Sequence, residues 1–289
     1  MRVPDSNLQE IESQGFTIVE DFLDAEALGA AQEALFEFFP RPSDYFAAPD
    51  AYESFSRSQF SGLRLFPYPS WALNRLAVTP DLVDAAERFC GTTDLSLYKV
   101  ELWAKYAGAI DYDQVHHRDY GNHTLVVPQS ASSHRQMTTF ILLSDVTETD
   151  GPTKVVPQKY GKAVPVVPSQ LQKGEMFDKE VSVTGKAGTL FIYKTDVLHR
   201  GSNFTAPERS RFALLVDFMP RGLAWTGKMA WPDRVSAHWN DAMVRMTPKE
   251  RSLFGFPKPG DSYWDAQTLR DVGLRYTGMD MTPYRAVGA

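Results

Sequence analysis

A single cysteine in 289 residues excludes an intrachain disulfide. That residue, Cys90, closes the apolar helical pattern LVDAAERFC and reads as a buried structural thiol. Positive charge is also scarce: 30 Lys and Arg stand against 36 Asp and Glu, a formal net charge of -6. No broad basic field is available to hold a phosphate backbone, so general nucleic-acid binding is not expected. No apolar run approaches the roughly 18 residues of a bilayer span. The opening MRVPDSNLQE has no basic segment followed by an apolar stretch. The expectation is a cytoplasmic enzyme or binding protein with no membrane partner. Internal repeats and low-complexity tracts are absent as well.

What remains is the composition of a soluble globular chain, 43% hydrophobic and 23% charged, with ample material for a core. From Leu8 to Phe39 the pattern is helix, short strand, helix: LQEIESQ is amphipathic, GFTIVEDF alternates, and Asp24 is placed to cap DAEALGAAQEALFEFF. The stretch FPRPSDYFAAPDAYESFSRSQF breaks the pattern. Its aromatics suit an ordered loop that covers a pocket better than a solvated tether. A further helix is expected from Thr79-Pro80 through DLVDAAERFC, with threonine as the cap. Beyond it come short segments rich in β-branched and aromatic residues: LSLYKVELWAKYA, HTLVVP, MTTFILLSDV, TKVVP, KEVSVTG, GTLFIYKTDVLH and SRFALLVDF. With no βαβ alternation among them, the expected fold is mainly β with flanking helices, an antiparallel sandwich or jelly roll. One domain spans residues 1–289, with core strands at about 95–218, helical support over 1–90 and a helical cap over 219–289.

The densest chemistry lies in DQVHHRDYGNHTLVVP, residues 113–128. His117 and Asp119 are one residue apart, so on an extended strand both side chains project from one face while His116 and Arg118 project from the other. Two His and one carboxylate with open positions is the arrangement of non-haem Fe(II) oxygenases. A third ligand must therefore come from His123, His134, His199 or His238. His134 sits in a polar loop and His238 in the helical tail. Only His199 ends a strongly strand-like segment and precedes a glycine turn.

The sequence resembles the phytanoyl-CoA dioxygenase-like group of Fe(II)/2-oxoglutarate-dependent oxygenases. The likeness runs from LQEIESQGFTIVEDFLDAEAL to about Phe218. It is carried by HRD at 117–119, LLSDVTETDGPTKVVP at 142–157 and HRGSNFTAPERSR at 199–211. It implies a double-stranded β-helix with His117, Asp119 and His199 as iron ligands. It also implies a basic group on the strand after the distal histidine, holding the far carboxylate of 2-oxoglutarate. Arg209 and Arg211 share strand parity, so alternation does not separate them. The resemblance favours Arg211, which directly precedes FALLVDF, and a guanidinium fork suits a carboxylate as lysine does not. Lys105 and Tyr106 fall where the family often places groups near cosubstrate or substrate, and Thr139 is placed for its hydroxyl to meet the cosubstrate.

The implied reaction consumes 2-oxoglutarate and O2 and releases succinate and CO2 as an unactivated carbon of a small molecule is hydroxylated. Asp119 argues against halogenation, because related halogenases lack the carboxylate. His116, His123 and Asn122 are expected beside the ligands, not among them; Arg118 is expected to be structural; Trp103, Trp225 and Trp231 serve either a pocket wall or the core. Two rival functions have different signatures. A metabolite-binding β-helix without catalysis does not need the triad and its arginine, and a cupin-type metal enzyme more often shows three histidines without the arginine. Specificity is expected in the loop at 40–62 and the C-terminal cap.

Overall fold

The computed structural model describes residues 2–119, 135–166, 168–221 and 237–261, together with 264, 266, 269, 272–273 and 276–285. His123, His134, Asn122, Trp225, Trp231 and the segment HTLVVP lie outside them. The N-terminal elements follow the sequence pattern: α1 (Asp5–Gln14), β1 (Phe16–Val19) and α2 (Ala25–Leu35). Asp24 caps α2 by accepting from the Ala27 amide at 2.8 Å. Next come α3 (Pro42–Ala47), a 3-10 helix (Pro49–Phe55), β2 (Leu63–Leu65), α4 (Trp71–Ala77) and α5 (Pro80–Cys90). Thr79 precedes α5 as expected, but its hydroxyl turns back to the carbonyls of Arg75 and Leu76. It closes α4, a helix whose seven residues are too short to show a period, and does not cap α5.

The remaining strands are β3 (Leu95–Tyr106), β4 (Met137–Leu142), β5 (Thr153–Val155), β6 (Val181–Val183), β7 (Leu190–Lys194), β8 (His199–Arg200) and β9 (Ser210–Pro220). They form a larger sheet in the order β1-β7-β4-β9-β3-β2 and a smaller one in the order β6-β5-β8. Every pairing among the described strands is antiparallel. The smaller sheet is extended at β8 by the bridge between His117 and His199. This pair of facing antiparallel sheets with flanking helices is a double-stranded β-helix, the fold expected from the sequence.

Alternation along β3 explains how the sheet serves two environments at once. Val100, Leu102, Ala104 and Tyr106 enter the main core, whereas Lys99, Glu101, Trp103 and Lys105 line a cavity between the sheets. On the core side Leu102, Leu214 and Val216 pack with Leu35, Leu73, Leu76, Leu82 and Phe89 from the helices. Full burial of each such side chain stabilises the fold by about 1.5–3 kcal/mol. The helical layer therefore fixes the sheet whose opposite face carries the polar groups.

The described part of the C-terminal segment includes helices at Ala237–Arg245, Pro248–Ser252 and Thr282–Arg285. Met243, Met246, Leu253 and Tyr284 join the main core, on the face of the sheet remote from the cavity. No described residue after Pro220 lines the cavity. Among the described residues no helix is long and apolar enough to cross a membrane.

Candidate active site

The site starts from one backbone event. The His117 amide donates to the His199 carbonyl at 2.9 Å, and the His199 amide returns the bond to the His117 carbonyl at 3.0 Å. Residues that exchange both bonds across an antiparallel pair project their side chains to the same face. The two imidazole centroids stand 4.5 Å apart. Asp119, two residues on, joins that face. Its Oδ1 lies 3.4 Å from His199 Nε2 and 3.9 Å from His117 Nε2. The three side chains offer ligand atoms all within 4.8 Å of one another.

Both rings are oriented from behind. His117 Nδ1 lies 3.0 Å from the Val115 carbonyl, and His199 Nδ1 lies 3.0 Å from the Val197 carbonyl. A carbonyl partner places the proton on Nδ1 and leaves each Nε2 lone pair for a metal. Asp119 is oriented by Tyr193, whose buried hydroxyl donates to Oδ2 at 2.7 Å. Burial, and then the neighbouring His199, push the His117 pKa down to about 4. For His199 burial also favours the neutral ring, but the adjacent Asp119 carboxylate outweighs it and holds that pKa above the ordinary value.

The cavity has a volume of about 570 Å³ and contains His117, Asp119 and His199 in its wall. At one end Lys105 on β3 stands directly opposite Arg211 on β9. Both are about nine-tenths buried. Arg211 donates to the Gly151 carbonyl, and Lys105 faces the rings of Tyr112 and Trp103 at 4.8 and 5.8 Å. Neither has a carboxylate partner among the described residues. Burial lowers the Arg211 pKa to about 10; burial, then the Arg211 charge, carries Lys105 well below its usual range. Two buried basic side chains with no carboxylate paired to either among the described residues make this end of the cavity suited to an anion.

Other expected residues are placed elsewhere. Arg209 is half-exposed and bound through two nitrogens to Asp150, at 2.6 and 3.0 Å, so it is already neutralised outside the cavity. Thr139 faces the core side of β4 and donates to the Val216 carbonyl at 2.8 Å; its neighbours Phe140 and Leu142 face the cavity. Tyr106 likewise points away, stacked on Tyr45 at 4.2 Å with its hydroxyl on the Pro40 carbonyl. Trp103 is on the cavity wall. His116 turns from the ligands toward Glu180, 2.9 Å from Nε2. Arg118 spends its guanidinium on the carbonyls of Asp196, Pro165, Gly161 and Val164.

Several residues at the site were not singled out in the sequence. Tyr193 is one. Lys99 and Glu101 are others, and their signal was present: LYKVELWAKY alternates polar and apolar residues, but that pattern normally marks a solvent face. Arg200 reaches the cavity wall yet is held by Glu180, at 2.7 Å from both guanidinium nitrogens that contact it, and by Asp113. The segment at 40–62, expected as a loop, instead forms α3 and the 3-10 helix, and from its end Gln59 and Phe60 line the cavity; Gln59 is tied to Gln114 at 2.6 Å and Phe60 lies over Trp103 at 5.8 Å.

The model of the phytanoyl-CoA dioxygenase (PhyH) family matches residues 11–213. This chain belongs to that family. The match takes in His117, Asp119, His199 and Arg211. No curated protein matches the chain. Among solved structures, HygX from Streptomyces hygroscopicus, determined with nickel and 2-oxoglutarate bound, is similar with a TM-score of 0.55 at 14% identity, over 76% of this chain and 88% of that one. The carbocyclase SnoK from nogalamycin biosynthesis has a TM-score of 0.53 at 16% identity, over 75% and 83%. The epimerase SnoN from the same biosynthesis has 0.50 at 17%, over 74% and 81%. At these identities the likeness establishes the fold of a PhyH-family protein, and function rests on the site.

Proposed function

We propose that this PhyH-family chain is an Fe(II)/2-oxoglutarate-dependent dioxygenase that hydroxylates an unactivated carbon of a small molecule, with release of succinate and CO2. The observation that carries this reading is the joint presence, in one cavity, of a two-His one-carboxylate cluster and the Lys105–Arg211 cation pair. Two imidazole nitrogens and one carboxylate oxygen form a donor set suited to Fe(II) that leaves coordination positions open. His117, Asp119 and His199 would hold the metal. Arg211, with Lys105 beside it, would hold the far carboxylate of 2-oxoglutarate through its guanidinium fork.

The metal with its cosubstrate and O2 supplies the oxidising power for C–H chemistry. The protein's own contribution is placement. The carbonyls of Val115 and Val197 aim the two rings, Tyr193 aims Asp119, and the apolar wall of Phe140, Leu142, Phe191 and Leu215 limits water around the reacting carbon. SnoN and SnoK are described as an epimerase and a carbocyclase on this fold, so the fate of the substrate depends on how its carbon is held. Asp119 favours hydroxylation over halogenation because it fills the position a halide would need.

The test is anaerobic addition of Fe(II) and 2-oxoglutarate, which should produce a weak visible charge-transfer band that His199→Ala abolishes. Slow succinate formation without substrate supports the reading. A wild-type protein that neither develops the band nor forms succinate overturns it, in favour of a metabolite-binding β-helix or a metal enzyme that does not use 2-oxoglutarate.

A further inference from the structure

The cavity holds a charged group that neither the metal ligands nor the cosubstrate cradle accounts for. On β3, two strand positions from one another, Lys99 and Glu101 both face inward. Lys99 is committed: its ammonium is 3.0 Å from Asp217 and 4.0 Å from Glu101 Oε2, both acids being buried. Glu101 Oε2 also accepts from the Trp103 indole nitrogen at 3.1 Å. The other oxygen, Oε1, has no hydrogen-bond partner among the described residues, although the Glu101 side chain is only 10% exposed and lines the cavity. Oε1 is not sealed in the protein but opens on the cavity, where the donor of a bound molecule can reach it.

The neighbouring charges are committed elsewhere. Lys99 lies closer to Asp217 than to Glu101, burial pushes the Asp217 carboxyl up to about 7, and the nearby Asp119 is reserved for the metal. The remaining cations of the wall are assigned elsewhere: Arg200 to Glu180 and Asp113, Lys105 and Arg211 to the cosubstrate. What sets Glu101 apart is therefore geometry: a carboxylate on the cavity wall with its nearest cation, Lys99, 4.0 Å from one oxygen and its other oxygen open to the cavity, a position that favours a cationic neighbour. A metal and 2-oxoglutarate fill only part of about 570 Å³. The apolar side chains of Phe60, Leu63, Leu215 and Ala213 surround the rest.

We infer that Glu101 is the specificity-determining residue of this cavity and that it receives a protonated amine of the substrate. Lys99 and Trp103 hold the carboxylate from one side so that Oε1 is presented to the ligand. The substrate class is then a small molecule with an ammonium group attached to an apolar skeleton, the skeleton lying along the aliphatic and aromatic wall toward the His117–Asp119–His199 cluster. This inference rests on the oxygenase reading for the identity of the other two occupants.

The experiment uses the full chain with Fe(II) and 2-oxoglutarate under argon. Primary alkylamines are titrated by calorimetry, with the alcohols and carboxylates of the same carbon skeletons as controls, and the charge-transfer band is recorded in parallel. Amines should bind at least ten-fold more tightly than either control. Glu101→Gln should remove that preference, and Glu101→Asp should retain part of it, while both variants keep the wild-type band and melting temperature. A protein with a normal band that shows no amine preference, or one whose preference survives in Glu101→Gln, overturns the inference and leaves the oxygenase reading intact. A protein that takes amines through Glu101 but forms no band supports the inference and removes the cosubstrate assignment. If Glu101→Gln does not fold, Trp103→Phe, which deletes the indole donor and not the carboxylate, should weaken amine binding; unchanged binding there counts against the inference.

Discussion

The Tyr193 hydroxyl donates a 2.7 Å hydrogen bond to Asp119 Oδ2, the carboxylate oxygen that is not turned toward the two imidazole nitrogens. One oxygen of the ligand is thereby fixed and the other released to a metal. Partners of this kind are worth about 10–100-fold in metal affinity when removed. Tyr193→Phe keeps the ring, which packs against Phe140 and Phe191, and deletes only the donor. It should weaken Fe(II) or Co(II) binding by about 10-fold, with the folded structure preserved by circular dichroism. An unchanged metal affinity would assign Tyr193 to packing alone.

Arg211 and Arg209 should separate cleanly. Removal of a charged, bidentate carboxylate partner costs roughly 1.5–3 kcal/mol. Arg211→Ala should therefore raise the dissociation constant for 2-oxoglutarate by about 10–100-fold. Arg209→Ala should leave that constant within about two-fold but lower folding stability by roughly 1–3 kcal/mol, since it strips the ion partner from the buried Asp150. Cosubstrate titration and urea unfolding read the two effects, and the reverse pattern would move the clamp to Arg209.

Arg118 sits between His117 and Asp119 in sequence yet belongs to the scaffold. Its guanidinium donates to four backbone carbonyls contributed by two separate segments. Lysine cannot reproduce that fork. Arg118→Lys should destabilise the fold by roughly 2–4 kcal/mol in urea unfolding. Metal affinity measured well below the unfolding transition should stay close to wild type.

Cys90 supplies a pH test. Burial, opposed by nearby Arg135, pushes its thiol up to about 12, whereas an unfolded cysteine ionises near ~8.5. A pKa raised by folding means that the folded state binds the proton more tightly. Its contribution to stability is fully present below the unfolded value and is lost as pH rises from about 9 toward 12. The native protein should react with a thiol-directed reagent at pH 8 only as fast as it opens. Cys90→Ala should show a shallower loss of stability between pH 8 and 10 than wild type; equal slopes would contradict the assignment.

Much of the fold was legible because it depends on local pattern. The Asp24 cap, the α5 boundaries and the alternating strands each express a preference within a few residues. The short helix α4 was not legible, since two turns held by tertiary contacts leave no periodic trace. At the site, strand parity paired His117 with Asp119, but only the cross-strand bridge to His199 determines which distant histidine meets them. Parity was also what Thr139 and Tyr106 needed: each lies on the apolar phase of its strand, in step with Ile141 and Leu102. Lys99 and Glu101 lie on the polar phase of β3. A one-dimensional pattern does not say whether a polar face meets water or the interior of a β-helix, so it does not mark these two residues as part of the site.

Lys105 and Arg211 face one another on adjacent strands, both buried. Two like charges in that position resist folding unless Lys105 gives up its proton or an anion enters between them. Anything that binds the folded chain and not the unfolded one raises its stability in proportion to the logarithm of concentration. On the proposed assignment that anion is the cosubstrate, so the folded chain's resistance to unfolding rises with the concentration of the molecule it consumes.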